Sequence, residues 1–204
     1  MEIGMGGTVA KMAAAGDTIL SVVITDGRRA PDPSSIGPER MAKLRKDESV
    51  KAASILGVSE TKFLDLESIT TDENRLKATA KLIEIIDTFD PDDAFTLHPE
   101  LDRHPSHRAA GAICLDALRP NISNSNIRVW GYEVWGLFPE WDRFEDISDQ
   151  IEKKLAGIDE HKSQIAAIPY ADGIAGLNRW RAVFADPHQS APNGKYAEVF
   201  IRLK

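Results

Sequence analysis

A chain of 204 residues, 42% of them hydrophobic and 28% charged, is long and apolar enough for one domain with a sizeable core, and 7% aromatics with modest Gly and Pro exclude a disordered or fibrous class. The net charge of −7 argues against a nucleic-acid partner, which calls for a basic stripe. No apolar run approaches the ~20 residues of a membrane span, the start lacks the pattern of a secretory signal, and the single Cys114 rules out an internal disulfide.

The expectation is a soluble, cytoplasmic, single domain over residues 1–204. In chain order, Gly6 to Gly16 reads as a helix of small residues closed by a glycine. Thr18 to Thr25 is a β-branched run suited to a buried strand, ended by Asp26 and Gly27. A Pro-, Ser- and Gly-rich loop leads to a helix from Pro38 to Leu56, then a strand from Thr61 to Leu66. Asp72 opens a helix through Phe89 with an apolar stripe of Leu76, Ala80, Leu82, Ile85 and Ile86. Asp93 to Leu97 is a strand that delivers His98, and Pro105 to Leu118 is a helix in which Cys114 packs. Val129 to Gly136 reads as a strand, residues 144–166 as an amphipathic helix and Gly173 to Phe184 as a further one. A strand of AEVFIRLK closes the chain. This alternation predicts an α/β class with a mainly parallel sheet covered on both faces, and ligands outside the strands' carboxyl ends.

Three polar clusters fall at those ends: Thr25–Gly27, Asp65–Ser68 and His98–His107. The last is the sharpest, because HPELDRHPSH places three of the five histidines and two acids within ten positions. His104 and His107, three apart near a helix start, share one face. Imidazole serves both as metal ligand and as acid or base near neutral pH. The bland alternative is a solvated, helix-capping loop. Gly4, Gly6 and Gly7 do not fit a dinucleotide fingerprint and suggest close backbone packing. Arg45 and Glu48, one helical turn apart, read as a surface pair. Glu133, if buried, needs a partner. The four tryptophans read as packing or interface residues rather than as a sugar platform.

Taken in order, these pieces resemble the LmbE-like (PIG-L) deacetylases over essentially the whole chain. Residues 2–16 resemble the segment just after that family's Ala-His-Pro-Asp-Asp signature. Thr25–Gly27, Arg45 with Glu48, His104 to His107, Tyr132 with Glu133, Asp146 to Ser148, Ser163 with Gln164, and Glu198 then occur in the family's order. The resemblance implies a Rossmann-like three-layer sandwich, and a hydrolase that removes acetyl from N-acetylglucosamine-type amino sugars with zinc-activated water. It assigns His107 as a zinc ligand, His104 as the catalytic histidine that stabilises or protonates the tetrahedral intermediate, and Arg45 as a substrate contact. The implied partner is a small amino-sugar substrate, and a homo-oligomer is compatible with the sequence.

Two departures stand against the family pattern. The signature is absent, with Met1 where its second Asp would stand, so the expected first strand, two zinc ligands and the base are missing. Ser106 replaces the Asp between the two histidines. One histidine does not make a catalytic zinc site. Three explanations stay open: a fragment or mis-started reading of an active enzyme, a degenerate homologue that binds sugars or a partner, or another metal set recruiting His98, Glu100 or Asp102. A nucleotide-binding Rossmann-like module is the reading outside the family.

Overall fold

The computed structural model describes residues 1–32, 34–122, 127–166, 168–184 and 194–204. Its elements run α1 (Glu2–Ala15), β1 (Leu20–Thr25), α2 (Pro38–Leu56), β2 (Glu60–Leu66), α3 (Asp72–Phe89), β3 (Asp93–Leu97), α4 (Pro105–Ile122), β4 (Arg128–Tyr132), β5 (Arg143–Asp146), α5 (Ile151–Asp159), α6 (Lys162–Ile165), α7 (Tyr170–Phe184) and β6 (Ala197–Arg202). The expected α/β alternation is there, with β1–β2 and β3–β4 pairing parallel and β4–β6 antiparallel. The chain divides into two compact units, one formed by Met1–Glu67 with Phe144–Glu198, the other by Ser68–Arg143 with Val199–Lys204.

In the first unit, α1 begins at Glu2, before the expected Gly6, with a kink at Met5 (φ −146, ψ 17). It ends in a left-handed Gly16 whose N–H and that of Asp17 bond back to Ala13 and Met12. Two of its glycines serve close packing: a Cβ on Gly6 would lie 3.2 Å from Lys154 Cγ of α5, and one on Gly7 would collide with Ile147, ahead of α5. Val9 and Ala10, one turn on, are buried. The β1–β2 register shifts between Val23 and Thr25, and β2 there holds Asp65 at φ 52, as a bulged residue does.

The helix expected from Phe144 is interrupted. Residues 143–146 form β5, and Asp146 Oδ1 then accepts from Ser148 N and Ser148 Oγ at 3.0 and 2.6 Å. A short polar side chain that bonds its own backbone competes with helix, so α5 starts only at Ile151.

In the second unit, Leu118, Ile127 and Val129 form a core joined by Ile86, Ala94 and Cys114. The buried stripe of α3 is Ala78 and Leu82, with Ile85 and Ile86 half-buried beside it. Leu76, expected inside, is 72% exposed. Cys114 packs as expected: burial pushes its thiol up to about 11, against a smaller lowering by a hydrogen bond with Thr96. Strand β4 stops at Tyr132 instead of Gly136, because buried Glu133 turns back to accept from Phe138 N.

Candidate functional site

The chemistry-bearing side chains form two clusters, one in each unit. In the second unit the polypeptide leaves β3 at Leu97 and enters α4 at Pro105, and the intervening loop is folded by its own polar groups. His98 Nδ1 accepts from Glu100 N and Leu101 N, both at 3.1 Å, and its ring meets Phe138 edge-on at 5.7 Å. His98 therefore shapes the turn. Burial also depresses its pKa, against the opposing charge of Glu100.

Asp102, 3% exposed, organises the rest. Its Oδ1 accepts from His104 N at 2.7 Å, and its Oδ2 accepts from His107 Nδ1 and Trp135 N at 3.2 Å each. A carboxylate only accepts, so the His107 proton sits on Nδ1 and the Nε2 lone pair is left for a proton or a metal. His104 lies at the start of α4, its carbonyl accepting from His107 N and Arg108 N, with its exposed ring 4.9 Å from that of His107. Gly111 seats α4 on the end of β3, since a Cβ there would collide with the Leu97 carbonyl oxygen. One turn earlier, that close approach sets the height of His107.

His107 has a pKa below the ordinary value of 6.5: burial lowers it most, and the hydrogen bond and charge of Asp102 offset only part of this. Its neutral form prevails at pH 7. Because the unfolded chain takes up this proton first, the associated stability is present above about pH 6.5 and is lost as pH falls through the depressed value. An NMR titration of the His107 ring is expected to show a midpoint below 6.5; one at or above 6.5 would contradict the burial argument.

The first unit holds the other cluster, on α1, α2 and the α5–α6 junction. Arg45 and Glu48, which read as a surface pair, are not one: Glu48 is 4% exposed. Arg45 Nη1 donates to Glu48 Oε2 at 2.8 Å and to His161 Nδ1 at 3.0 Å. Glu48 also accepts from Ser163 N at 2.7 Å and Ser163 Oγ at 2.8 Å. The expected turn at the end of β1 lies against this arginine, because a Cβ on Gly27 (φ +77) would stand 3.0 Å from Arg45 Cβ. Deeper in the unit, Lys154 and Glu198 form a fully buried pair at 2.7 Å.

The structure thus brings His104 and His107 together with Asp102 and sets Arg45 among Glu48, His161 and Ser163. Sequence reasoning missed the orienting role of Asp102, His161 and the Lys154–Glu198 pair. One signal was available: Lys154 stands three after Ile151 and four before Ile158, on the apolar face of its helix.

A catalytic zinc takes three protein ligands. Among the described residues no group of three or more His, Cys, Asp or Glu side chains is arranged to hold a metal. Asp102 spends its oxygens on N–H donors, His107 Nδ1 among them, and His98 turns its Nδ1 to its own loop. The described residues do not by themselves make up a catalytic zinc site. Among the described residues no helix is long and apolar enough to cross a membrane.

A relative, the diacetylchitobiose deacetylase of Thermococcus kodakarensis, is 27% identical over 180 residues, 79% of this chain, and the chain spans 65% of that relative's length. The solved N,N'-diacetylchitobiose deacetylase of Pyrococcus horikoshii matches with a TM-score of 0.82 at 24% identity, over 99% of this chain and 79% of that one. GalB, the 4-carboxy-2-hydroxymuconate hydratase of Pseudomonas putida KT2440, matches with a TM-score of 0.83 at 19% identity, over 100% and 91%. Structures named for two different reactions share this fold, so the fold alone selects neither. The family model described as PIG-L, GlcNAc-PI de-N-acetylase, matches residues 1–118. That match covers more than half of the chain, which therefore belongs to the PIG-L family of GlcNAc-PI de-N-acetylases.

Proposed function

We propose that this chain acts on the acetamido group of an N-acetylglucosamine-type sugar, as an N-deacetylating hydrolase whose own residues orient the amide and move its protons. The observation that carries this reading is the His107–Asp102 pair with His104 beside it, at the carboxyl end of β3 in a PIG-L chain. Hydrolysis adds water to the amide carbonyl and expels an amine that must gain a proton. His104, exposed at the start of α4, is the acid for that transfer, a role worth ~10²–10⁴ in rate. Arg45 contacts the sugar. His107 Nε2 is the one zinc-ligating nitrogen this cluster supplies.

The chain as it stands is accordingly expected to hold zinc weakly and to release acetate slowly. Zinc content after dialysis and acetate release from N,N'-diacetylchitobiose are measured together, on this chain and on one carrying Ala-His-Pro-Asp-Asp ahead of Glu2. His107→Ala should abolish metal uptake in the extended chain, and His104→Ala should keep the metal but lower kcat. An extended chain that takes up zinc yet frees no acetate from any amino-sugar amide would sink the hydrolase reading and leave a sugar- or partner-binding relative.

A further inference from the structure

The contact between Arg45 and His161 assigns a task to a histidine outside the β3–α4 cluster. An arginine side chain only donates, so His161 Nδ1, 3.0 Å from Arg45 Nη1, accepts. The ring proton then sits on Nε2, which faces Glu2 Oε1 at 3.4 Å. Both hydrogens of Arg45 Nη1 are committed, one to His161 and one to Glu48 Oε2. Glu48 is in turn fixed by Ser163 N and Ser163 Oγ, two residues beyond His161. The α5–α6 junction is thereby clamped to α2, and the guanidinium is gripped at one end. Its Nε and Nη2 edge takes no hydrogen bond among the described residues, and the side chain is 23% exposed. His161 itself is 14% exposed.

We propose that His161 is a positioning residue: its Nδ1 holds the Arg45 guanidinium in one rotamer, so that the Nε and Nη2 edge is presented ready-made to the oxygen atoms of a sugar. This rests on the substrate role proposed for Arg45. One nitrogen of His161 meets the arginine and the other a carboxylate, Glu2 on α1, with Glu48 Oε2 4.0 Å from Nδ1. Ordering a free arginine at the moment of binding weakens affinity roughly 2- to 10-fold, and a guanidinium already held avoids that loss.

The test uses the full chain and N,N'-diacetylchitobiose as the probe. Long-range 1H–15N NMR at pH 7.5 is expected to find the His161 proton on Nε2 and Nδ1 bare, the signals being assigned by their loss in His161→Asn. A proton on Nδ1 would overturn the proposal. Dissociation constants are then measured for wild type, Arg45→Ala, His161→Leu and His161→Asn, with melting curves to confirm folding. His161→Leu should weaken binding roughly 2- to 10-fold. His161→Asn, whose Oδ1 restores an acceptor near the place of Nδ1, should recover most of it. If Arg45→Ala weakens binding while His161→Leu does not, the positioning role alone falls. If wild type does not bind the disaccharide, or Arg45→Ala binds it equally well, the substrate role of Arg45 falls and takes this inference with it.

Discussion

Replacing Asp102 by Asn is expected to lower activity, or metal uptake at His107, by about 10–100-fold, the range seen when a carboxylate behind a ligating or catalytic histidine is lost. Three N–H groups converge on this carboxylate, those of His104 and Trp135 and Nδ1 of His107. An amide offers one acceptor oxygen and an NH2 group that only donates. If its oxygen faces His107 and Trp135, the His104 amide at the start of α4 meets another donor. If the oxygen faces His104, Trp135 N loses Asp102 as acceptor, and His107 keeps its contact only by shifting its proton to Nε2. That shift removes the Nε2 lone pair through which His107 would hold zinc. One unsatisfied buried group costs about 1–3 kcal/mol, which for a chain of this size lowers the melting temperature by roughly 2–4 °C per kcal/mol. Asp102→Ala, which takes the carboxylate away from all three donors, should be less stable still. Acetate release, metal content and the His107 tautomer by NMR are the measurements. An Asp102→Asn protein with wild-type activity and the proton still on Nδ1 would show that the carboxylate does not orient the ring.

The largest effect on stability is expected at Lys154 and Glu198. Both side chains are fully buried, and Lys154 Nζ donates to Glu198 Oε1 and Asn178 Oδ1, each at 2.7 Å. Glu198 also accepts from Gly7 N, Thr8 N and Thr8 Oγ1 at 2.9, 2.7 and 2.6 Å. Those amides open the regular part of α1 after the Met5 kink, where a negative charge also meets the positive end of the helix dipole. Removing one partner of a buried ion pair costs about 3–5 kcal/mol, because the other charge is left uncompensated. Against a total of about 5–15 kcal/mol, that is a third or more of the stability in most cases. Lys154→Met and Glu198→Leu should each show it in urea unfolding. The double variant should lose less than the sum, by about 0.5–3 kcal/mol, but should not match wild type, because the α1 amides still lack their acceptor. Strictly additive losses would show that the two side chains do not act as a pair.

Much of the fold was legible. Helices α2 and α3 and strand β3 fall on the residues that periodicity and end signals mark: Pro38 and Gly57 bracket α2, and Asp72 opens α3, which the structure caps with the Thr71 hydroxyl accepting from Asn74 N. These are local effects, settled within a turn or two of chain. The His104–His107 pair was legible for the same reason, since a spacing of three near a helix start needs no distant partner. Where local signals conflict, the reading fails: the residues of β5 read as helix because the Asp146–Ser148 turn competes with the amphipathic pattern on either side of it.

The sequence by itself determined the order of the elements from α1 to β4, the polar clusters at the ends of β1 and β3, and the family resemblance that the PIG-L match bears out. Only the tertiary structure decided which charged groups are buried and what they hold. Glu48 reads as half of a surface pair until Ser163, 115 positions on, brings its amide and hydroxyl. Glu198 is one acid in an apolar strand until the Gly7 amide, 191 positions away, reaches it. Asp102 reads as loop polarity until Trp135, 33 residues later, adds its N–H. The physical reason is common to all three. Whether a carboxylate is solvated or buried depends on partners that only folding brings within hydrogen-bond distance, and a buried charge without them is too costly to exist.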